Sequence, residues 1–208
     1  MAADLEIRDR VLEYAREEFL SKGFSKVTLD EIASNLGISK KTLYKFYPSK
    51  EELLRASLHA AMRSAGWDLE RITSSDKPFA EKLAEAMFTM GKYISQFRRE
   101  GLVDIQRCAP SIWKELDKYR QEQIVSKLVT MIVQARRENI FRAEVNEQVL
   151  IRMLISSIQG VINPEVLAQC SFSAQEAAQS IFKVLFEGAL TDEARKEFHV
   201  FDKPTALA

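Results

Sequence analysis

Apolar residues recur at three- and four-residue intervals along almost the whole chain, and no stretch shows the strict alternation of a strand. The pattern predicts helices nearly end to end. The first covers about Leu5 to Lys22, with Ile7, Val11, Ala15 and Phe19 along one face and Gly23 as its stop. Thr28 followed by Glu31 is a capping box that opens a second helix, whose inner face carries Ile32 and Ala33. Leu36, Gly37 and Ile38 make a turn, because glycine enters the left-handed region without a Cβ clash. Ser39 caps a third, short helix that Leu43 and Phe46 pack back onto the second, and Pro48 ends it. Ser49 with Glu52 is another capping box, starting a long helix to about Ile72.

Thr73 to Pro78 is expected to be a loop, followed by a helix striped with Phe79, Leu83, Met87, Met90, Ile94 and Phe97. Gly101 is expected to break the chain again. A short helix then leads to Pro110 and a long one to about Asn139. From Asn146 to Ile162 the residues Leu150, Met153, Leu154 and Ile158 share one side, while Ile151, Ile155 and Ile162 share another; Asn163-Pro164 should break or kink the helix. The box Ser173–Glu176 opens a last helix with Ile181, Val184, Leu185 and Gly188 on one face and Ala178, Phe182, Phe186 and Ala189 on another. A helix apolar on two faces is buried on two sides. Either both sides are used within one subunit, or a second copy covers one of them in a four-helix interface. The second is the more economical answer for so small a chain, and it places Leu154, Ile158, Ile181, Phe182, Leu185 and Gly188 between copies.

The stretch Thr28–Lys50 is therefore a helix-turn-helix, the arrangement whose second helix enters the major groove of DNA. Its order of residues also resembles one family. Gly23-Phe24, Thr28, Ile32-Ala33, Gly37, Ser39, Thr42-Leu43-Tyr44, Tyr47-Pro48 and Lys50-Glu51 follow the pattern of the N-terminal domain of TetR/AcrR-type bacterial transcriptional regulators. The resemblance is specific over residues 8–58. Lys41 stands where many members have Gly, and Phe46 where many have His, so no side chain there donates to phosphate. The resemblance implies an all-α fold of about nine or ten helices, a three-helix DNA-binding domain followed by a helical ligand-binding and dimerisation domain. It also implies a homodimer. The expected boundaries are 1–50 for the first domain, with the helix-turn-helix at 28–47, then 51–200, and a tail at 201–208.

Composition changes this picture little. The 208 residues are 46% hydrophobic, enough for a well-buried core, and the formal net charge is zero. A global basic field is absent, but Lys40, Lys41, Lys45 and Lys50 stand together with no acid from Ser39 through Lys50. Only two cysteines occur, Cys108 and Cys170, without metal-type spacing, which argues for a reducing compartment and against a structural zinc site. The N-terminus is charged, and the most apolar stretch, 149–162, is too short and polar to span a bilayer, so a cytoplasmic protein is expected. No nucleophile–base pair, Gly-rich phosphate loop or metal set supports an enzyme, and neither a cofactor nor a metal is expected.

The expected DNA-binding residues are Thr28, Ser39, Lys40, Lys41, Thr42, Tyr44, Lys45, Tyr47 and Lys50. Thr42 fits a base or a thymine methyl, and Tyr44 a phosphate or a flat packing role. Thr28 serves as a cap, a backbone anchor, or both, and Tyr47 is open between core and phosphate. For Lys50 the resemblance implies a phosphate contact, at a helix start that also favours one. Trp67, Met90, Phe97, Cys108 and Trp113 lie on helices where the family builds a ligand cavity, although such stripes more often form core. The resulting expectation is a repressor released from a palindromic double-stranded operator by a small apolar or aromatic effector. An activator or a ligand-independent regulator fits the same residues, and a small-molecule-binding protein or enzyme using the C-terminal cavity is the remote alternative.

Overall fold

The computed structural model describes residues 2–96 and 98–197. The expected pocket residue Phe97 and the expected tail at 201–208 lie outside the described residues. Twelve α-helices occur among them. They are α1 (Ala2–Lys22), α2 (Leu29–Asn35), α3 (Lys40–Phe46), α4 (Lys50–Thr73), α5 (Phe79–Ser95), α6 (Arg99–Cys108) and α7 (Pro110–Tyr119). After a π-helical turn, Arg120–Val125, follow α8 (Ser126–Arg137), α9 (Glu147–Val161), α10 (Pro164–Gln169), α11 (Ala174–Ala189) and α12 (Asp192–Glu197). The only extended pairing among the described residues is an isolated bridge between Phe141 and Leu190.

The chain forms two compact units, and neither ends near residue 50. The first holds the chain up to Ser64 together with Ser95–Arg120; the second holds Ala65–Ile94 and the chain from Gln121 onward. In the first unit, α1 contributes Val11, Ala15, Phe19 and Leu20 to a core shared with Ile32, Leu43, Leu53 and Leu54. That core is completed by Ile105 of α6 and by Ile112 and Leu116 of α7. The expected break at Gly101 is absent. Gly101 lies inside α6, where a Cβ would stand 2.2 Å from the Leu20 carbonyl oxygen, so the glycine serves a backbone-to-backbone approach. The interruption comes earlier, and the Arg98 amide there donates to the Leu20 carbonyl at 3.4 Å.

A second tie joins α6 to the loop after α1. Asp104 accepts from the Ser25 amide at 2.6 Å and from its hydroxyl at 2.9 Å. Gly23 turns the chain at φ +96°, and a Cβ on it would stand 3.0 Å from the Asp104 carboxylate. Burial pushes the Asp104 carboxyl up, but the two Ser25 bonds, the Cys108 thiol and nearby Arg107 outweigh it and hold the group below the usual carboxylate range.

In the second unit α9 packs on α11, and a chain of aromatic rings crosses the core: Phe79 to Phe141 at 5.8 Å, Phe141 to Phe186 at 6.2 Å, Phe186 to Phe182 at 5.8 Å. Asn139 (φ 55°) ends α8 in a Schellman motif, with its amide donating to Arg136 and that of Ile140 to Ala135. This steers Phe141 toward Leu190. Four residues expected between copies are instead buried within this unit: Leu154, Ile158, Phe182 and Leu185. They are already covered in the single chain, where α9 packs on α11. Ile181 is half-buried and Gly188 exposed. On α9 and α11 the large apolar side chains left in solvent are Val149, Met153 and Val184.

Because the Asp104 carboxyl is depressed by folding, the unfolded chain binds more protons near its own pKa of about 3.9. The contribution of this group is therefore present above about pH 4 and is lost as pH falls through the folded value. Urea unfolding between pH 3 and 6 should show a shallower acid loss of stability in Asp104→Asn than in the wild-type chain.

Candidate nucleic-acid interface

Local rules set the geometry of residues 28–50. Thr28 caps α2: its hydroxyl accepts from the Glu31 amide at 3.2 Å, and the Glu31 carboxylate accepts from the Thr28 amide and hydroxyl, both at 2.9 Å. Those donors to Glu31 hold its carboxyl below the usual range. Both Thr28 donors are thus already engaged. The end of α2 is a Schellman motif: the Gly37 amide donates to Ser34 at 3.1 Å and the Ile38 amide to Ala33 at 3.0 Å. Gly37 takes φ +66°, and the space a Cβ would fill is open. Backbone conformation alone, then, demands glycine here.

Ser39 caps α3, accepting from the Thr42 amide at 3.0 Å, and its hydroxyl meets that of Thr42 at 2.8 Å. Leu43 is fully buried and pins α3 to the core, while Tyr44 is 47% exposed and Lys40, Lys41 and Lys45 face solvent. Tyr47 is buried in the core, and burial pushes its phenol up, partly offset by nearby Arg8. Phe46 is half-buried, with Arg8 5.9 Å and Lys45 5.4 Å from its ring centroid. Lys50 lies 4.4 Å from the Phe24 ring centroid, and burial lowers its ammonium, partly offset by Glu51 and Asp104. Thr28, Tyr44, Ser49 and Lys50 converge on one open depression of about 400 Å³, which Asp30 also lines.

Two carboxylates that sequence periodicity did not single out reach α3. Asp30 of α2 binds Lys40 at 2.6 Å, and Asp4 of α1 stands 3.6 Å from Lys45. No sequence spacing marks either pair, since both cross between helices. Of the expected effector residues, Trp67 and Met90 lie in the second unit, Cys108 and Trp113 in the first. Trp67 is 73% exposed, Cys108 is exposed, Trp113 packs on the core of the first unit, and only Met90 is buried in the second.

Residues 11–57 match the model of bacterial regulatory proteins of the tetR family. The chain belongs to the TetR family. It is 29% identical over 177 residues to the HTH-type transcriptional regulator YvaF of Bacillus subtilis (strain 168), covering 83% of this chain and 90% of that one. Over 52 residues it is 36% identical to IcaR of Staphylococcus epidermidis, a negative transcriptional regulator of the biofilm operon icaADBC, covering 25% of this chain and 28% of that one. Its fold is similar to that of a gamma-butyrolactone receptor (ArpA like protein), with a TM-score of 0.68, 17% identity and 96% of each chain covered. This TetR-family chain is a DNA-binding transcriptional regulator, and its relatives are regulators rather than enzymes. No helix among its described residues is long and apolar enough to cross a membrane, and none of their His, Cys, Asp and Glu side chains gather in a group that could hold a metal ion.

Two glycines separate conformation from packing. Gly37→Ala should destabilise the protein by about 1 kcal/mol, since alanine is strained at positive φ. Gly66, helical within α4 and open around its Cβ position, should gain up to about 1 kcal/mol as alanine. Opposite shifts in the urea midpoint would show it.

Proposed function

We propose that this regulator is a homodimeric, cytoplasmic repressor that places α3 in the major groove of a palindromic operator and is released by a small apolar or aromatic effector. The observation that carries the reading is the presentation of α3: Leu43 buried, with Lys41, Tyr44 and Lys45 turned outward by the Gly37 turn. Lys40, Lys41 and Lys45 would meet phosphates, Thr42 a base edge, and Tyr44 with Lys50 the backbone that runs past the depression. Ser39 and Thr28 act first as caps, and Thr28 approaches phosphate only where Glu31 releases a donor. The negative regulation named for IcaR supports repression, and the similar fold of a gamma-butyrolactone receptor supports an effector.

Helix α4 is the natural coupling element, because its residues through Ser64 belong to the first unit and those from Ala65 to the second. An effector that favours one position of this helix would change DNA affinity by as much as its differential binding to the two states. Dimerisation would use the apolar side chains α9 and α11 leave exposed, Val149, Met153 and Val184, with Ile181 and Gly188 beside them.

Titration against duplex DNA from immediately upstream of the gene, with a scrambled duplex as control, tests the main reading. Selective binding should weaken steeply with salt, and Lys41→Ala should flatten the slope by about 1. Equal, weak binding to both duplexes would count against it. For the dimer, Val184→Glu with Met153→Glu should yield a folded monomer by analytical ultracentrifugation and circular dichroism. A dimer surviving both changes would place the interface elsewhere.

A further inference from the structure

We propose that Asp30 and Asp4 are built-in counter-ions of the recognition helix, which DNA phosphates must displace before Lys40 and Lys45 are available. The inference rests on the reading of α3 as the DNA-contacting helix and concerns how strongly that helix holds any duplex. The Lys40 ammonium lies 2.6 Å from the Asp30 carboxylate, and the Lys45 ammonium 3.6 Å from that of Asp4. All four side chains are more than half exposed, so these are solvent-screened pairs that a phosphate can compete for. Lys41, between them in sequence, has no ion-pair partner among the described residues. Asp30 also lines the depression shared by Tyr44 and Lys50, placing negative charge where a phosphate would approach.

The consequence is thermodynamic. A lysine already neutralised by a carboxylate exchanges one anion for another on binding, and the released carboxylate then gathers a cation from solution. Net counterion release falls, and with it both affinity and salt slope. The effect falls on the phosphate contribution, which every DNA sequence shares, and leaves base contacts untouched. The counter-ions therefore lower specific and non-specific affinity by the same factor, weakening the hold on every duplex and leaving the ratio between them to the base contacts.

The test is fluorescence anisotropy with a labelled random-sequence duplex of about 30 base pairs, at about 50 and 200 mM salt, where binding is almost purely electrostatic. Asp30→Asn should bind about two- to fivefold more tightly at the lower salt, with a slope steeper by up to about 0.9. Asp4→Asn should show a smaller gain, in keeping with its longer pair. Lys40→Ala should lose less affinity than Lys41→Ala, a comparison that stands even if an aspartate variant folds poorly. Glu165→Gln, the same charge change at an exposed site of α10, should do little. Unchanged affinity and slope in Asp30→Asn, an equal gain in Glu165→Gln, or equal losses for the two lysines would overturn the inference while leaving the DNA-binding reading intact. Absence of binding by the wild-type chain would overturn both.

Discussion

The approach of α6 to the end of α1 governs how the DNA-binding part of this molecule is built. At Gly101 the two backbones come closer than any side chain would allow, since a Cβ there would stand 2.2 Å from the Leu20 carbonyl oxygen. That contact lets Ile105 and Ile112 reach the core around Phe19 and Leu20, and it sets Asp104 against the Ser25 amide and hydroxyl. The loop so held leads directly to Thr28 and the start of α2. A three-helix motif of this size has too little core to be rigid alone. Here residues nearly eighty positions away in sequence, as Ser25 is from Asp104, supply the missing side.

Built on that base, α3 is positioned by short-range chemistry. The Schellman turn at Gly37 sets its direction, the Ser39 cap sets its first residue, and buried Leu43 sets its rotation. Rotation then decides which side chains are offered to a partner. What it offers is a cationic surface moderated from two sides, by Asp30 on α2 and Asp4 on α1. A chain of zero net charge can in this way carry a local cationic face without holding every duplex it meets.

The helix-turn-helix was legible because each of its signals acts within four residues: Thr28 to Glu31, Ser34 to Gly37, Ser39 to Thr42. The same holds for the Ser173–Glu176 cap of α11 and for the start of α10 at Pro164 as the breaking of α9. At Gly101 the sequence is ambiguous, because a glycine between apolar segments carries the same local signal whether it ends a helix or admits a neighbour. A tyrosine such as Tyr47 suits either a core or a wet surface, and the packing around it buries it. The two-sided apolar pattern of α9 and α11 was real, but its second side is largely covered by other helices of the same unit.

By itself, then, the sequence determined the helical class, the capped motif at 28–50 and the lysines that motif displays, since hydrophobic period and capping are properties of neighbouring residues. The tertiary structure alone decided that α6 and α7 belong with the DNA-binding helices, that Leu154, Ile158, Phe182 and Leu185 are spent within one chain, and that Asp30 and Asp4 reach the recognition helix. These are contacts between elements separated along the chain. Their existence depends on how helices cross and how closely backbones approach, and no local pattern of residue types encodes that distance.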